Sequence, residues 1–290
     1  MTGNARFYYP AGELAANGLE LEVTPEVAGW THSSLRIVYL GQGAARTFES
    51  GTEEMVVLPL SGSCVVVCDG ESQELQGRDG VFEAVSDFVY IPVQSQVTVT
   101  SASGGRFAVI GAQASERYPF RYRAAEDVSI ELRGAGQASR QVVNFCTPET
   151  FDADRLIAVE VLTPAGNWSS YPPHKHDEEK QDETALEEIY YFEVADGPTG
   201  PGFAYQRVYG HPGFEIDVLE EVHTGDTILI PYGWHGPAMA APGYHLYYLN
   251  VMAGAGAERA WKICDDPTHA WVRGTWDGQP IDPRLPLTRP

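Results

Sequence analysis

Short apolar, β-branched and aromatic runs follow one another along this chain, separated by clusters of Gly, Pro, Asp and Ser. In the first half they are LRIVYL (35–40), EMVVLPL (54–60), CVVVC (64–68), DFVYIP (87–92), QVTVT (96–100) and RFAVIG (106–111). In the second half they are LIAVEVLTP (156–164), EEIYYFEV (187–194), DTILIP (226–231) and YHLYYLNVM (244–252). Such dense, short strands with turn residues between them predict an all-β protein, a sandwich or a barrel. No long helical period is present. The segment ASERYPFRYRAAED (114–127) has room for a short turn, and a link between two halves falls near 112–140, giving units 1–140 and 141–290.

The two halves echo each other. Glu54 opens a strand, and a later strand ends in Pro92 with Gln96 four residues on; Glu188 opens a strand, and a later strand ends in Pro231 with His235 four residues on. Two copies of one β-barrel unit account for this spacing. Nothing before Glu54 supplies a His-x-His pair, so the first copy is expected to be structural and without a metal.

The chemistry concentrates in GNWSSYPPHKHDEEKQDETALEEIYYFEV (166–194). Residues two apart on a strand share a face, so His174 and His176 can reach one ion while Lys175 points away and reads as structural or inter-subunit. Glu188 begins the next strand and shares a face with Tyr190 and Phe192. It is favoured over Glu187 because the aromatic strand follows it directly, although a slip of one residue reverses every face. GDTILIPYGWH (225–235) then offers His235 just past a turn. Three neutral imidazoles and one carboxylate suit one divalent first-row ion per chain: zinc first, with manganese, iron or nickel also compatible. The acidic stretch 177–187 reads as a solvated lid or connector.

Bulk properties narrow the partners. The chain has 290 residues, is 43% hydrophobic and 20% charged, and carries a formal charge of −21. A pI near 4.6 argues against nucleic acid or an anionic membrane surface, which call for basic patches. A small anionic substrate remains compatible, provided a metal or a few cations offset the acidic field. No apolar run approaches the roughly 20 residues that span a bilayer, and the first residues show no basic region followed by an apolar stretch. The expected address is the cytoplasm. Cys64, Cys68, Cys146 and Cys264 form no CxxC pair and are expected to be reduced. A homo-oligomer is compatible with the sequence.

The arrangement resembles the cupin superfamily and, more specifically, the 5-deoxy-glucuronate isomerase family. The resemblance rests on WSSYPPHKHD (168–177), LEEIYYF (186–192), GFAYQRVY (202–209), GYHLYYLNVMAG (243–254) and RAWKICDDPTHAW (259–271). It extends more weakly through GRDGVFEAVSDFVYIP (77–92) and LRGAGQASRQVVN (132–144). It implies a bicupin, two double-stranded β-helix (jelly-roll) barrels. It also implies a metal-dependent aldose–ketose isomerisation of 5-deoxy-D-glucuronate to 5-dehydro-2-deoxy-D-gluconate in inositol breakdown, with a small sugar acid as substrate. One departure stands out: the family pattern Pro-x-Gly-Tyr-His-Pro is here Pro231-Tyr-Gly-Trp-His-Gly, and Trp234 is expected to reshape the pocket rim. Candidates for proton transfer are Tyr190, His223, His245 and Tyr248. Arg207 is the candidate for the substrate carboxylate, because an Arg fork matches a carboxylate bidentately; Arg259 and His269 lie in the family-like tail with no role assigned. The competing readings are another cupin metalloenzyme, a dioxygenase or a related uronate ketol-isomerase, and a sugar-acid-binding cupin without turnover.

Overall fold

The computed structural model describes residues 7–290 and is built almost wholly of antiparallel β-strands. In the first half the long strand Glu53–Cys68 belongs to two sheets. Up to Pro59 it pairs with Phe88–Ile91 and Gly105–Gln113; past irregularities at Ser61 and Gly62 it pairs with Glu71–Arg78 and Gln96–Thr100. Breaks of this kind let one strand turn from one sheet into the facing one, which closes a barrel corner. Alternation then sorts the side chains: Met55, Val57, Val66 and Cys68 fill the barrel, while Val56, Leu58 and Leu60 face outward. All four cysteines are free. The 114–127 segment supplies a short strand, Arg121–Arg123, and a 3-10 turn at Ala125–Asp127.

The second barrel repeats the plan. One sheet runs in the order Tyr8–Tyr9, Thr227–Ile230, Glu187–Val194, Leu246–Ala253, Ile157–Thr163, Arg140–Cys146 and Ser129–Arg133. The facing sheet runs Phe214–Val222, Ala204–His211, Trp234–Ala240, His174–Lys175 and Cys264–Asp265, with Trp168–Ser169 beside Trp234–Ala240. Tyr190, Phe192 and Val194 point between these sheets with Val208, Ile228, Ala238 and Tyr248. Their alternates Ile189 and Tyr191 pack outward against the first barrel's Leu35, Ile37 and Val56. The barrels therefore meet sheet against sheet through a shared apolar layer.

Two carboxylates clamp that layer reciprocally. Glu54 accepts the backbone N–H groups of Asp154, Arg155 and Leu156 at 2.9, 2.6 and 2.7 Å. Glu187 accepts those of Thr31, His32 and Ser33 at 2.9, 2.8 and 3.1 Å. A carboxylate facing three successive amides makes charge-assisted bonds that satisfy loop donors otherwise left to water. This corrects the expected echo by one residue. Met55 pairs with Ile91 as Glu188 pairs with Ile230, so Glu54 corresponds to Glu187 and faces the interface rather than a barrel interior. Between the barrels a buried ion pair joins Arg78 to Glu160, which also accepts the Tyr247 hydroxyl at 2.8 Å. Among the described residues no helix is long and apolar enough to cross a membrane.

Candidate metal centre

His174 pairs with His235 across neighbouring strands, and Glu188 sits on the facing sheet between Ile230 and Met252. Because even-numbered residues of Glu187–Val194 point into the barrel, Glu188 meets the histidines there. Ligand atoms of His176, Glu188 and His235 lie within 4.8 Å of one another. The Nε2 atoms of His176 and His235 each stand 3.2 Å from Glu188 Oε2. The ring of His174 lies 4.4 Å from that of His235 and 6.4 Å from that of His176. All four side chains are buried. Asn250 donates to Glu188 Oε1 at 2.6 Å, which leaves Oε2 turned toward the imidazoles.

Protonation states suit metal ligation. Burial, then the neighbouring His176, pushes His174 down to about 3. Burial and His174 likewise hold His235 well below the ordinary histidine value. Burial opposes charge on His176 too, but hydrogen bonding and attraction to Glu188 outweigh it and raise its pKa. His235 directs Nδ1 toward the Gly233 carbonyl at 3.2 Å, which leaves Nε2 as the inward-facing nitrogen. That Nε2 is buried and makes no hydrogen bond. An orphaned imidazole nitrogen facing a carboxylate oxygen and a second imidazole is what a divalent cation would satisfy.

The local chain path is tightly constrained. Gly236 follows the last histidine at φ 101°, and a Cβ there would collide with the Ser170 carbonyl. Ser170 itself takes a left-handed conformation at φ 46°, rare for a residue with a side chain. Its hydroxyl bridges the hydroxyls of Tyr190 (2.9 Å) and Tyr248 (3.1 Å), whose rings stack at 4.9 Å.

Beside the cluster lies a cavity of about 40 Å³ reached by His174, Tyr190, Tyr248 and Asn250. It adjoins an outer chamber of about 500 Å³, and Arg133, Arg140, Arg273, Trp261 and Ile263 line both. Sequence reasoning missed these arginines. Arg133 and Arg140 stand inside the family-like segment 132–144, and Trp261 and Ile263 inside 259–271, so their signal was present but carried no direction. Asn250 was also missed; an amide in the apolar strand Leu246–Ala253 was its trace.

The remaining expected residues lie elsewhere. Arg207 alternates with the inward Gln206 and Val208, so it faces outward and pairs with Asp217. It is not in the cavity. Half-exposed His223 bonds the Gly202 carbonyl and Glu221, and His245 accepts the Ala165 N–H at 3.0 Å; neither faces the cluster. Trp234 points opposite to His235, with Lys175 Nζ 5.5 Å from its ring centre, so the tyrosine-to-tryptophan change does not touch the inner cavity. Arg259 binds the carbonyls of Cys146, Phe151 and Leu156. His269 heads the 3-10 turn Ala270–Thr275. Asp177, Glu178 and Glu183 could themselves group around a cation, but the ammonium of Lys175 fills that role, at 2.6, 2.6 and 2.7 Å.

Two barrels packed sheet against sheet, one with a buried His/Glu cluster, place the protein among the bicupins. The chain belongs to the KduI/IolB family, whose pattern matches residues 7–272. It is 40% identical over 271 residues to the 5-deoxy-glucuronate isomerase of Geobacillus kaustophilus, covering 92% of this chain and 95% of that one. Among solved structures it superposes on an IolB-like protein from Salmonella typhimurium with a TM-score of 0.84 and 31% identity, covering 92% of this chain and 98% of that one. Bacillus subtilis oxalate decarboxylase shares the fold at a TM-score of 0.62 and 12% identity, covering 89% of this chain and 79% of that one.

Proposed function

We propose that this chain is a 5-deoxy-glucuronate isomerase, converting 5-deoxy-D-glucuronate to 5-dehydro-2-deoxy-D-gluconate in cytoplasmic inositol breakdown. The observation that carries this reading is the buried cluster of His176, Glu188 and His235, with His174 beside it at the inner end of a cation-lined cavity, in a chain whose relatives bear that activity's name. Moving a proton between C2 and C1 of an aldose develops negative charge on the sugar oxygens, so the site must polarise a carbonyl and exclude water. A divalent ion held by those four residues would supply Lewis-acid polarisation of the carbonyl and stabilise the developing oxyanion.

The chain's own groups prepare the rest. Asn250 fixes the Glu188 carboxylate through Oε1. Burial, above all, keeps the Tyr190 and Tyr248 phenols protonated well beyond neutral pH, so neither acts as a base, and the Tyr248 hydroxyl donates to Ser169 Oγ at 2.9 Å. Ser170 links the two hydroxyls and sets their direction. Val142 and Val161 make part of the cavity wall apolar, which strengthens each polar contact inside.

Proton NMR of metal-loaded protein with 5-deoxy-glucuronate tests the reading. The aldose signals should give way to those of the 2-ketose, with no oxygen consumed. Failure of the loaded enzyme to form ketose would contradict it.

A further inference from the structure

We propose that Arg140, flanked by Arg133 and Arg273, forms the subsite that binds the substrate's carboxylate at the neck between the inner cavity and the outer chamber. The inference rests on the isomerase reading for the identity of the acid, but its structural grounds are independent. Arg140 begins the strand Arg140–Cys146 and shares the inward face with Val142. It is buried, yet its guanidinium makes one protein hydrogen bond, from Nη1 to the Ala138 carbonyl at 3.1 Å. Among the described residues it has no carboxylate partner, whereas Arg133 pairs with Glu131 at 2.8 Å and Arg273 with both oxygens of Asp265. A buried guanidinium that no carboxylate touches is costly, Glu131 in the chamber wall acting on it only through space, and in a chain of charge −21 a contacting carboxylate would be easy to supply. Its absence leaves a fork of free N–H donors for an arriving anion.

The surroundings favour the same role. Aromatic rings lie against the cations: Arg133 lies 5.2 Å from the Trp261 ring centre, and Arg140 and Arg273 lie 5.8 and 5.4 Å from that of Trp276. Gly134 leaves the room Arg140 needs, since a Cβ there would come within 2.8 Å of Nη1. Burial, with repulsion from Arg133 and Arg273, brings Arg140 down to about 10, a strain that a bound carboxylate would relieve. The inner cavity admits little more than the reacting end of a sugar, while the outer chamber has room for the remainder of a six-carbon acid. A substrate with its carbonyl end toward His174 and its carboxylate toward Arg140 spans the neck. The geometry thus selects uronates over neutral aldoses.

The test compares wild-type holoenzyme with Arg140→Gln, Arg140→Lys and Arg273→Gln. Each is assayed with 5-deoxy-glucuronate and with its uncharged 6-amide, and D-glucuronate binding is followed by calorimetry. Arg140→Gln should raise KM for the acid roughly 10- to 100-fold with little change in kcat, and should leave kcat/KM for the amide nearly unchanged. Arg140→Lys should recover part of the loss, since it keeps charge but not the fork. Arg273→Gln, at a more exposed side chain that folding tolerates, should raise KM for the acid roughly 3- to 10-fold. Glucuronate affinity should fall in parallel. If folded Arg140→Gln and Arg273→Gln both keep KM for the acid and glucuronate affinity within about two-fold of wild type, the subsite is wrong while the isomerase reading stands. If wild type does not isomerise 5-deoxy-glucuronate but binds D-glucuronate in an Arg140-dependent way, the isomerase reading falls and the subsite stands. A wild type that neither binds glucuronate nor prefers acid to amide overturns the subsite as well.

Discussion

In the second barrel His174 pairs with His235 and both are buried, whereas on the matching pair of strands in the first barrel Phe48 and Val97 turn inward and Glu49 and Gln96 turn outward. Met55 stands opposite Ile91 where Glu188 stands opposite Ile230. Glu49 and Gln96 are exposed and bond to each other at 2.9 Å, while Met55 is buried among Val57, Val89 and Ile91. One backbone plan thus supports an apolar plug in one copy and a buried polar cluster in the other. What the second copy adds is support: Asn250 behind Glu188, the Gly233 carbonyl behind His235, and the acidic loop knotted around Lys175. Burying three imidazoles and a carboxylate is unfavourable unless each has a partner, and a cation at the unpaired His235 Nε2 would complete the set.

Removing the partners should therefore hurt the second barrel and spare the first. The largest expected effect is that of His176→Ala or Glu188→Gln, which should lower kcat/KM by roughly 100-fold or more in a steady-state isomerase assay. Next is Lys175→Met, which leaves Asp177 and Glu183 facing one another without their cation and should cost about 3 kcal/mol of folding stability in urea titration. Acid should act on the same knot. Burial opposes the charge of Asp177, but Lys175, the Gly233 N–H and His211 bring its pKa from 3.8 to about 2. A depressed carboxyl contributes stability that is complete above its unfolded value and is lost as pH falls toward the folded one. The acid limb of unfolding should thus run between those two values, and in Lys175→Met it should shift to higher pH.

Smaller effects separate support from contact. Asn250→Ala frees Glu188 to turn and should weaken metal affinity roughly 10- to 100-fold, measured by competition with a chromophoric chelator. Gln96→Ala in the first barrel, and Trp234→Tyr or Arg207→Lys on the outer face of the second, should leave kcat and KM within about two-fold. A marked activity loss from Gln96→Ala would mean that the two barrels do not divide the work this way.

Sequence patterning reached the architecture because barrel strands advertise themselves: EEIYYFEV (187–194) alternates between the two apolar layers that the structure shows. His-x-His spacing, a strand-opening glutamate and a turn histidine were legible for the same period-two reason. Direction was harder. Arg207 fitted the expected chemistry but falls one position off the inward set Ala204, Gln206 and Val208. Arg140 fell on the inward set, yet its strand is interrupted between Val143 and Cys146, and its role depends on tail residues Trp261 and Arg273 that only the fold brings near. The echo of Glu54 misled by a single residue, because the glutamates at 54 and 187 share an interface role rather than a ligand role.

The central claim is that only the second barrel can hold a metal, and that His174, His176, Glu188 and His235 hold it. Metal content per chain, measured by mass spectrometry on the wild type and on the His174→Ala/His176→Ala double variant, tests it most directly. The account predicts one divalent ion per wild-type chain and essentially none in the folded double variant. A second ion in the wild type, or full occupancy in the double variant, would contradict it.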